Sequence, residues 1–288
     1  MDYKKEKHIK KKWIIFIVIL LGLSILTYLG NNFIGETYLE VNSSKIPKSF
    51  EGYKIVHLSD LHNKSFGKGQ KKLVEKIDEI KPDIILITGD IVDSRRYNEA
   101  PSLELVNKIH KIAPVYYVSG NHEVRSGNLE TLQKKLEQNG CIVLRNENRV
   151  ITKNGEEIVI AGVDDPFYPY NYAEEKDILD ARIENSIKDI DKSKYKILLS
   201  HRPEKFPLYV ENNIDITFSG HAHGGQVRIP IIGAIIAPNQ GFFPKYSSGM
   251  YKEEESTMIV SRGLGNSIVP VRVFNRPEIV VTTLKVTK

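Results

Sequence analysis

The chain is predicted to be an α/β protein: a four-layer α/β/β/α sandwich of two mixed β-sheets flanked by helices, preceded by one N-terminal transmembrane helix. Three observations predict this. An uncharged run, WIIFIVILLGLSILTYLG, occupies residues 13–30. Three strand-like segments, each succeeded by a helix-like one, lie between residues 53 and 140. The second half is richer in strand patterns, with few helices among them.

The apolar run comes first. Eighteen to twenty residues rising 1.5 Å each just cross a hydrocarbon core. Trp13 and Tyr28 stand near its ends, where amphipathic rings favour the interface. The segment before it, MDYKKEKHIKKK, carries six lysines against two acids. That asymmetry places the tail in the cytoplasm and sends the rest across. A cleaved signal peptide is the competing reading. The run is long for one, and NNFIGETY offers no clear small-x-small cleavage site, which favours a retained anchor. The expected organisation is a basic tail over 1–12, an anchor over 13–33 and one domain over 34–288.

The formal net charge of the 288 residues is +5, and the tail accounts for most of it. A near-neutral domain has no electrostatic footprint for nucleic acid, so no nucleic-acid partner is expected. The single cysteine, Cys141, excludes an intrachain disulfide and a cysteine-rich metal site.

After the anchor, residues 36–47 alternate like a strand and end at Pro47. Strand patterns at 53–60, 83–90 and 115–122 are paired with helical spacing at 70–80, 102–112 and 128–140, with Gly140 as a C-terminal cap. Such βα succession argues for parallel strands with right-handed crossovers. Residues 149–163 read as a hairpin turning at Asn154-Gly155, 174–190 as a helix, and 195–201 and 213–221 as strands. The segment 228–246, RIPIIGAIIAPNQGFFPKY, contains no acid. It reads as a packed hairpin completing the second sheet, or as an apolar loop that meets lipid.

The residues just past each strand carry the chemistry. The strand ends run into Asp60-Leu61-His62, Gly89-Asp90 and then Asp93, Gly120-Asn121-His122-Glu123, His201, and Gly220-His221-Ala222-His223-Gly224-Gly225. Carboxyl ends of strands in α/β sheets form a rim where ligands bind. In extended backbone, residues two apart point the same way, so His221 and His223 would face a single cluster, as would Asp60 and His62. Imidazole, carboxylate and amide oxygen suit Mn, Fe, Co or Zn. A bridging Asp suggests two ions about 3.5–4 Å apart. Single residues of these types are commonly structural; His57, His110 and His8 read as strand core, helix and tail. Five strand ends supplying ligand types together do not read as coincidence.

The ordered set SDLH, GDIVD, GNHE, SH and GHAHGGQ resembles the calcineurin-like metallophosphoesterase superfamily. It resembles more closely a bacterial branch of membrane-anchored phosphohydrolases, to which GFFPKYSSGMY, VSRGLGNS and FNRPEI are also similar. The resemblance implies that Asp60, His62, Asp90 and His223 hold one divalent metal and that Asp90 bridges to a second, completed by Asn121, His201 and His221. It further implies attack of a metal-bridging hydroxide on phosphorus. Asn121 would stabilise the phosphoryl oxygens, His122 would act as acid–base group, and Asp93 would orient His122. The implied activity is phosphate-ester hydrolysis at the outer face of the membrane. SDLHN and GDIVDSR depart from the phosphoprotein-phosphatase pattern, which makes a phosphodiester or pyrophosphate the expected bond. A phosphorylated small molecule, a lipid-linked phosphate or a cell-envelope component is the expected partner. Arg95, Arg96, Arg202 and Arg262 are candidates for phosphate contact, with surface solvation the expected role of each. Two alternatives stay open: a nucleotide phosphohydrolase, and a non-catalytic docking module that keeps the metals.

Overall fold

The computed structural model describes residues 2–167, 172–266 and 271–287. Ser267, the last residue of VSRGLGNS, lies outside the described residues, as does Lys288 at the end of the expected domain. Two six-stranded mixed sheets face each other. The first runs Gly35–Ser43, Glu278–Val286, Lys54–Leu58, Ile84–Thr88, Val115–Val118 and Cys141–Val143. Its last four strands are parallel, and Glu278–Val286 runs antiparallel to Lys54–Leu58. The second runs Gly249–Glu253, Ser256–Val260, Ile216–Ser219, Tyr195–Leu199, Glu156–Gly162 and Glu147–Lys153. Its four central strands are parallel, and each edge strand is an antiparallel hairpin partner.

The strand sequences explain the layering. Ile55, Ile84, Leu86 and Val118 point between the sheets, where they meet Ile158, Ile160, Ile197, Leu199, Ile216 and Phe218. Their neighbours Val56, Ile85 and Ile87 point the other way, because side chains alternate along a strand. That outer face is covered by helices Lys71–Ile80, Ala100–Ile109 and Leu129–Gln138 through Leu73, Ile77, Leu105, Ile109, Leu132 and Leu136. Helices Tyr172–Ile187 and Phe206–Glu211 cover the second sheet through Leu179, Ile183, Phe206 and Tyr209. Strands buried on both faces read as continuous apolar runs, which is how Ile-Ile-Leu-Ile at 84–87 appears. The four-layer α/β/β/α arrangement is therefore present.

Asn154 and Gly155 both adopt positive φ, +50° and +81°, the geometry of a tight hairpin turn. Two expectations are corrected. The strand over 115–122 ends at Val118, and a short helix, Asn121–Ser126, begins within the expected strand. The Glu123 carboxylate, accepting the Gly120 N–H at 2.6 Å, closes that helix start. Segment 228–246 does not extend the second sheet. It forms two separate two-stranded ribbons, Arg228–Ile229 with Gly233–Ala234 and Ile236–Ala237 with Gly241–Phe242.

The N-terminal helix spans Asp2–Asn32, with the basic tail and the apolar run in one rod. Among the described residues, its segment Lys10–Asn32 is the one helix long and apolar enough to cross a membrane, and none of its most apolar window is covered by protein. Ile197, fully buried between the sheets, reports on the inter-sheet core. Ile197→Ala is expected to cost about 2–5 kcal/mol in chemical denaturation of the detergent-solubilised chain. A loss under about 1 kcal/mol would place the core elsewhere.

Candidate metal centre

The carboxyl ends of Lys54–Leu58, Ile84–Thr88, Val115–Val118, Tyr195–Leu199 and Ile216–Ser219 converge where the two sheets meet. Asp60, His62, Asp90 and His223 offer ligand atoms that all lie within 4.8 Å of one another, and so do Asp90, His201 and His221. Asp90 belongs to both groups. Its Oδ2 lies 3.7 Å from His62 Nε2 and 3.3 Å from His201 Nε2. His223 Nε2 is 3.3 Å from Asp60 Oδ1 and 3.1 Å from His62 Nε2. His221 Nδ1 is 3.2 Å from His201 Nε2.

His221 and His223 thus serve different groups. The expectation that both face a single cluster rested on extended backbone, and the backbone here is not extended. Asp60, His62, Asp90, His221 and His223 all adopt left-handed φ, between +45° and +65°. Asp and His are among the residues that tolerate this region, at a cost of order 1–3 kcal/mol each. Left-handed turns at 221 and 223 flank Ala222, so the two imidazoles diverge. Gly220 is required by close approach: a Cβ there would lie 1.8 Å from Ser59 Oγ and 2.5 Å from Asp60 Oδ2.

The donor set fits divalent cations. His221 Nε2, Asn121 Oδ1, His62 Nδ1 and His223 Nδ1 are buried polar atoms with no hydrogen-bond partner in the protein. Buried polar groups are rarely left so, and ring nitrogens brought to 3.1 Å (His62 Nε2 and His223 Nε2) and 3.2 Å (His221 Nδ1 and His201 Nε2) of one another beside two carboxylates suit a cation between them. The Nδ1–H of His201 donates to the Thr88 carbonyl at 2.7 Å. That bond fixes the tautomer and turns Nε2 toward Asp90, the usual support for a metal-ligating histidine. Burial lowers His62 to about 3, and it pushes His221 and His223 well below the ordinary imidazole range, so all three are neutral donors. Burial would also lower His201, but Asp90 and Asp60 outweigh it and raise that ring to about 10. Burial, with Asp90 adding to it, raises Asp60 to about 6. Burial acts the same way on Asp90, but His201 and His122 outweigh it and hold that carboxyl well below the usual range.

Around this centre stand further polar residues. The backbone N–H of His122 donates to Asp90 Oδ1 at 2.8 Å, which locks the Asn121-His122 turn onto the shared carboxylate. His62, Asp93 and His122 form a third group with ligand atoms within 4.8 Å. His122 Nδ1 accepts from the Ser94 backbone N–H at 3.1 Å, so Nε2 carries the proton in the neutral ring. Asp93 accepts from the Arg95 backbone at 2.9 Å and from Arg96 Nη2 at 2.9 Å, so it also holds its own turn together.

Glu123 ends the GNHE motif, and residue type and spacing alone give it no role. Its buried carboxylate accepts backbone N–H groups from Asp90 at 2.8 Å, Val92 at 3.1 Å and Gly120 at 2.6 Å. It ties the second and third strand-end loops together. Arg202 does not sit at the surface as expected. It is buried in a bidentate pair with Asp165, at 2.5 and 2.8 Å, with Glu204 Oε1 3.6 Å from its Nη1. Arg262 is half-buried, its Nε 3.5 Å from Glu278.

A rim of histidines and aspartates at converging strand ends, divided into two groups by a shared carboxylate, is the site of a binuclear metallohydrolase. The profile of the calcineurin-like phosphoesterases matches residues 53–225, and the chain belongs to that family. It is a phosphoester hydrolase by that membership. An uncharacterized metallophosphoesterase of Bacillus subtilis, YkuE, is 30% identical over 272 residues, 92% of this chain and 91% of that one. A Danio rerio chain named as a transmembrane protein with metallophosphoesterase domain is 28% identical, covering 86% of this chain and 56% of that one. Among solved structures, the phosphopantetheinyl hydrolase of Mycobacterium tuberculosis aligns with 75% of this chain and 91% of its own, at 13% identity and a TM-score of 0.48.

The electrostatics and the loop anchor can each be tested. With its ring raised to about 10, His201 is protonated at neutral pH in the metal-free protein and must lose that proton to ligate. Mn²⁺ binding is therefore expected to release about one proton, with affinity rising up to about tenfold per pH unit. Calorimetry in buffers of different ionisation enthalpy measures this; pH-independent affinity would remove His201 from the ligand set. Glu123→Ala strands three buried N–H donors and is expected to cost at least about 3 kcal/mol and weaken metal binding. A variant with wild-type stability and metal content would show that the loops hold without it.

Proposed function

We propose that the chain is a two-metal phosphohydrolase that cleaves a phosphodiester or pyrophosphate at the outer face of the membrane. The observation that carries this reading is the sharing of Asp90 between two clusters of imidazole and carboxylate. Asp60, His62, Asp90 and His223 would hold one ion, and Asp90, Asn121, His201 and His221 the other. When bound, such ions supply Lewis acidity to a phosphoryl oxygen and an ionised water at neutral pH.

The remaining steps belong to side chains. The buried Asn121 amide oxygen, without a hydrogen-bond partner in the protein, would serve as a ligand, and its amide N–H groups would be donors for a phosphoryl oxygen. His122 holds a proton on Nε2 because the Ser94 N–H occupies Nδ1, so it is poised to protonate the leaving oxygen. Asp93 stands beside that ring, with ligand atoms within 4.8 Å, where it would help to orient it. No arginine of the phosphoprotein-phosphatase pattern succeeds Asp93 at the expected spacing, which supports a diester or anhydride over a phosphoprotein. The outer-face location rests on the lysines crowding only the first end of the apolar helix.

The test uses the purified full chain with bis-aryl and mono-aryl phosphates, before and after chelation and with Mn²⁺ restored. Metal-restored cleavage of the diester is expected. Asp90→Asn should lose metal and activity together; full activity in that variant would sink the bridging role. His122→Ala should retain metal and slow turnover of poor leaving groups by roughly 10²–10⁴. If it also lost the metals, His122 would be a ligand and not an acid.

A further inference from the structure

The two ribbons of 228–243 leave an unusual surface. Ile231, Ile232, Phe242 and Phe243 are largely exposed, with Ile231 108% and Phe242 73% accessible, and Ile229 and Ile236 are partly so. Ile231 and Phe243 project from backbone with φ of +75° and +53°, a conformation that is costly for a β-branched side chain such as Ile231. Contiguous apolar surface of this kind marks a place where something apolar is met. The segment from Val227 to Met250 has no acidic residue, and Arg228 and Lys245 stand within it.

The ribbons are joined to the membrane helix through a short chain of contacts. Val227 bridges to Val273, and the Arg228 N–H donates to the Val273 carbonyl at 3.0 Å. Segment 272–276 in turn lines a crevice of about 300 Å³ with Leu26, Thr27, Leu29 and Gly30 of the helix. The helix end is held to the domain, since Asn266 Nδ2 donates to Asn31 Oδ1 at 2.6 Å and Lys64 to the Asn31 carbonyl. Leu26 lies about 9 Å below the helix end at Asn32, at 1.5 Å per residue. A domain segment that reaches Leu26 on a spanning helix lies at the level of the lipid. Phe274, 67% exposed, and Phe33, 55% exposed with Arg276 5.0 Å over its ring, complete this border.

The same face touches the metal centre. Gly225 lies against the first ribbon, where a Cβ would come within 2.4 Å of Ala234 Cβ. Asn275 Nδ2 donates to the His223 carbonyl at 2.7 Å and to the Gln226 carbonyl at 3.2 Å. The loop carrying the ligand His223 is thus packed between the ribbons and the segment that meets the helix.

We propose that the ribbon face formed by Ile231, Ile232, Phe242 and Phe243, continuous with Phe33 and Phe274, is seated in the bilayer interface beside the membrane helix, and that the site's substrate is a phosphodiester carried on a membrane lipid. The argument for a bilayer over other occupants is continuity with the spanning helix and a rim of Arg228, Lys245 and Arg276 suited to anionic headgroups. The substrate half rests on the phosphohydrolase reading above. A lipid headgroup held at this depth reaches the metal centre along the ribbons, whereas a water-soluble ester gains nothing from them.

Trp13 is the one tryptophan of the chain, so a Trp13→Phe background accepts a single reporter. The full chain carrying Phe243→Trp is reconstituted into phosphatidylcholine–phosphatidylglycerol vesicles with and without dibrominated acyl chains. Val150→Trp, on the far edge of the second sheet, is the control. Bromolipid is expected to quench Trp emission at 243 about twofold and to leave 150 unaffected. Quenching at 243 by aqueous iodide instead would place the face in water and overturn the proposal. Protection from both quenchers would mean that protein, such as a second copy, covers it, and would overturn it equally. The substrate half is read with two esters sharing one leaving group, bis(p-nitrophenyl) phosphate and the p-nitrophenyl diester of phosphatidic acid in vesicles. Phe242→Ser with Phe243→Ser should lower the ratio of kcat/KM for the lipid ester over the soluble one by about tenfold. An unchanged ratio would overturn the lipid substrate. If the wild type with Mn²⁺ cleaves neither ester, the phosphohydrolase reading fails, and the quenching result still decides the surface.

Discussion

The carboxylate of Asp90 is buried, and an isolated buried charge is too costly to keep in a folded protein. Much of the site results from satisfying it. Oδ1 takes the His122 N–H, Oδ2 faces His62 and His201, and its own backbone N–H is held by Glu123. Those partners come from different places in the chain, and only strands ending side by side bring them within reach. The parallel order of Lys54–Leu58, Ile84–Thr88 and Val115–Val118 does this in one sheet, and Tyr195–Leu199 beside Ile216–Ser219 does it in the other. In the metal-free protein the compensating positive charge falls to His201, whose ring the two aspartates raise.

The candidate ligands are placed at the cost of backbone strain. Five of them sit in left-handed conformation shortly after regular strands. Each such turn ends the sheet abruptly and aims a side chain across the seam between the sheets instead of along the alternating faces. Strain of this kind persists only where the surroundings over-determine it. Here the inter-sheet core supplies the rigidity, and hydrogen bonds such as Asp60 N–H to the Gly89 carbonyl and His62 N–H to the Asp90 carbonyl, both at 3.0 Å, hold the turns.

A second buried ion connects the site to the helix side of the domain. Arg272 is 1% exposed, and its guanidinium donates to the carbonyls of Arg262 and Gly265. The Gly265 N–H in turn bonds the Asp60 carbonyl at 2.6 Å. Burial lowers Arg272 to about 10, with Asp60 and Glu278 opposing the shift, so it stays charged at neutral pH. Three residues further on, Asn275 grips the loop of His223. The segment that meets the helix is therefore the one that supports two candidate ligands of one group, Asp60 and His223.

Much of this was legible in the sequence. Apolar strand runs, amphipathic helices ending before Pro82 and Pro114, and an Asn-Gly hairpin are local signals, set by burial periodicity and turn stereochemistry. The ligand types were legible too, because Asp, Asn and His clustered after strands have few other uses in such numbers. Three features were not. The divergence of His221 from His223 depends on φ values that residue spacing does not encode. The burial of Arg202 depends on Asp165, 37 residues away in the chain. The standing of 228–246 as separate exposed ribbons depends on the second sheet already having its edge strand in Gly249–Glu253. The sequence by itself determined the elements, the membrane-length helix and the set of candidate ligand side chains, because these arise from local periodicity and side-chain chemistry. Only the tertiary structure decided which ligand joins which group, what Glu123 and Arg202 hold, and which apolar residues stay uncovered, because those outcomes depend on contacts between segments far apart in the chain.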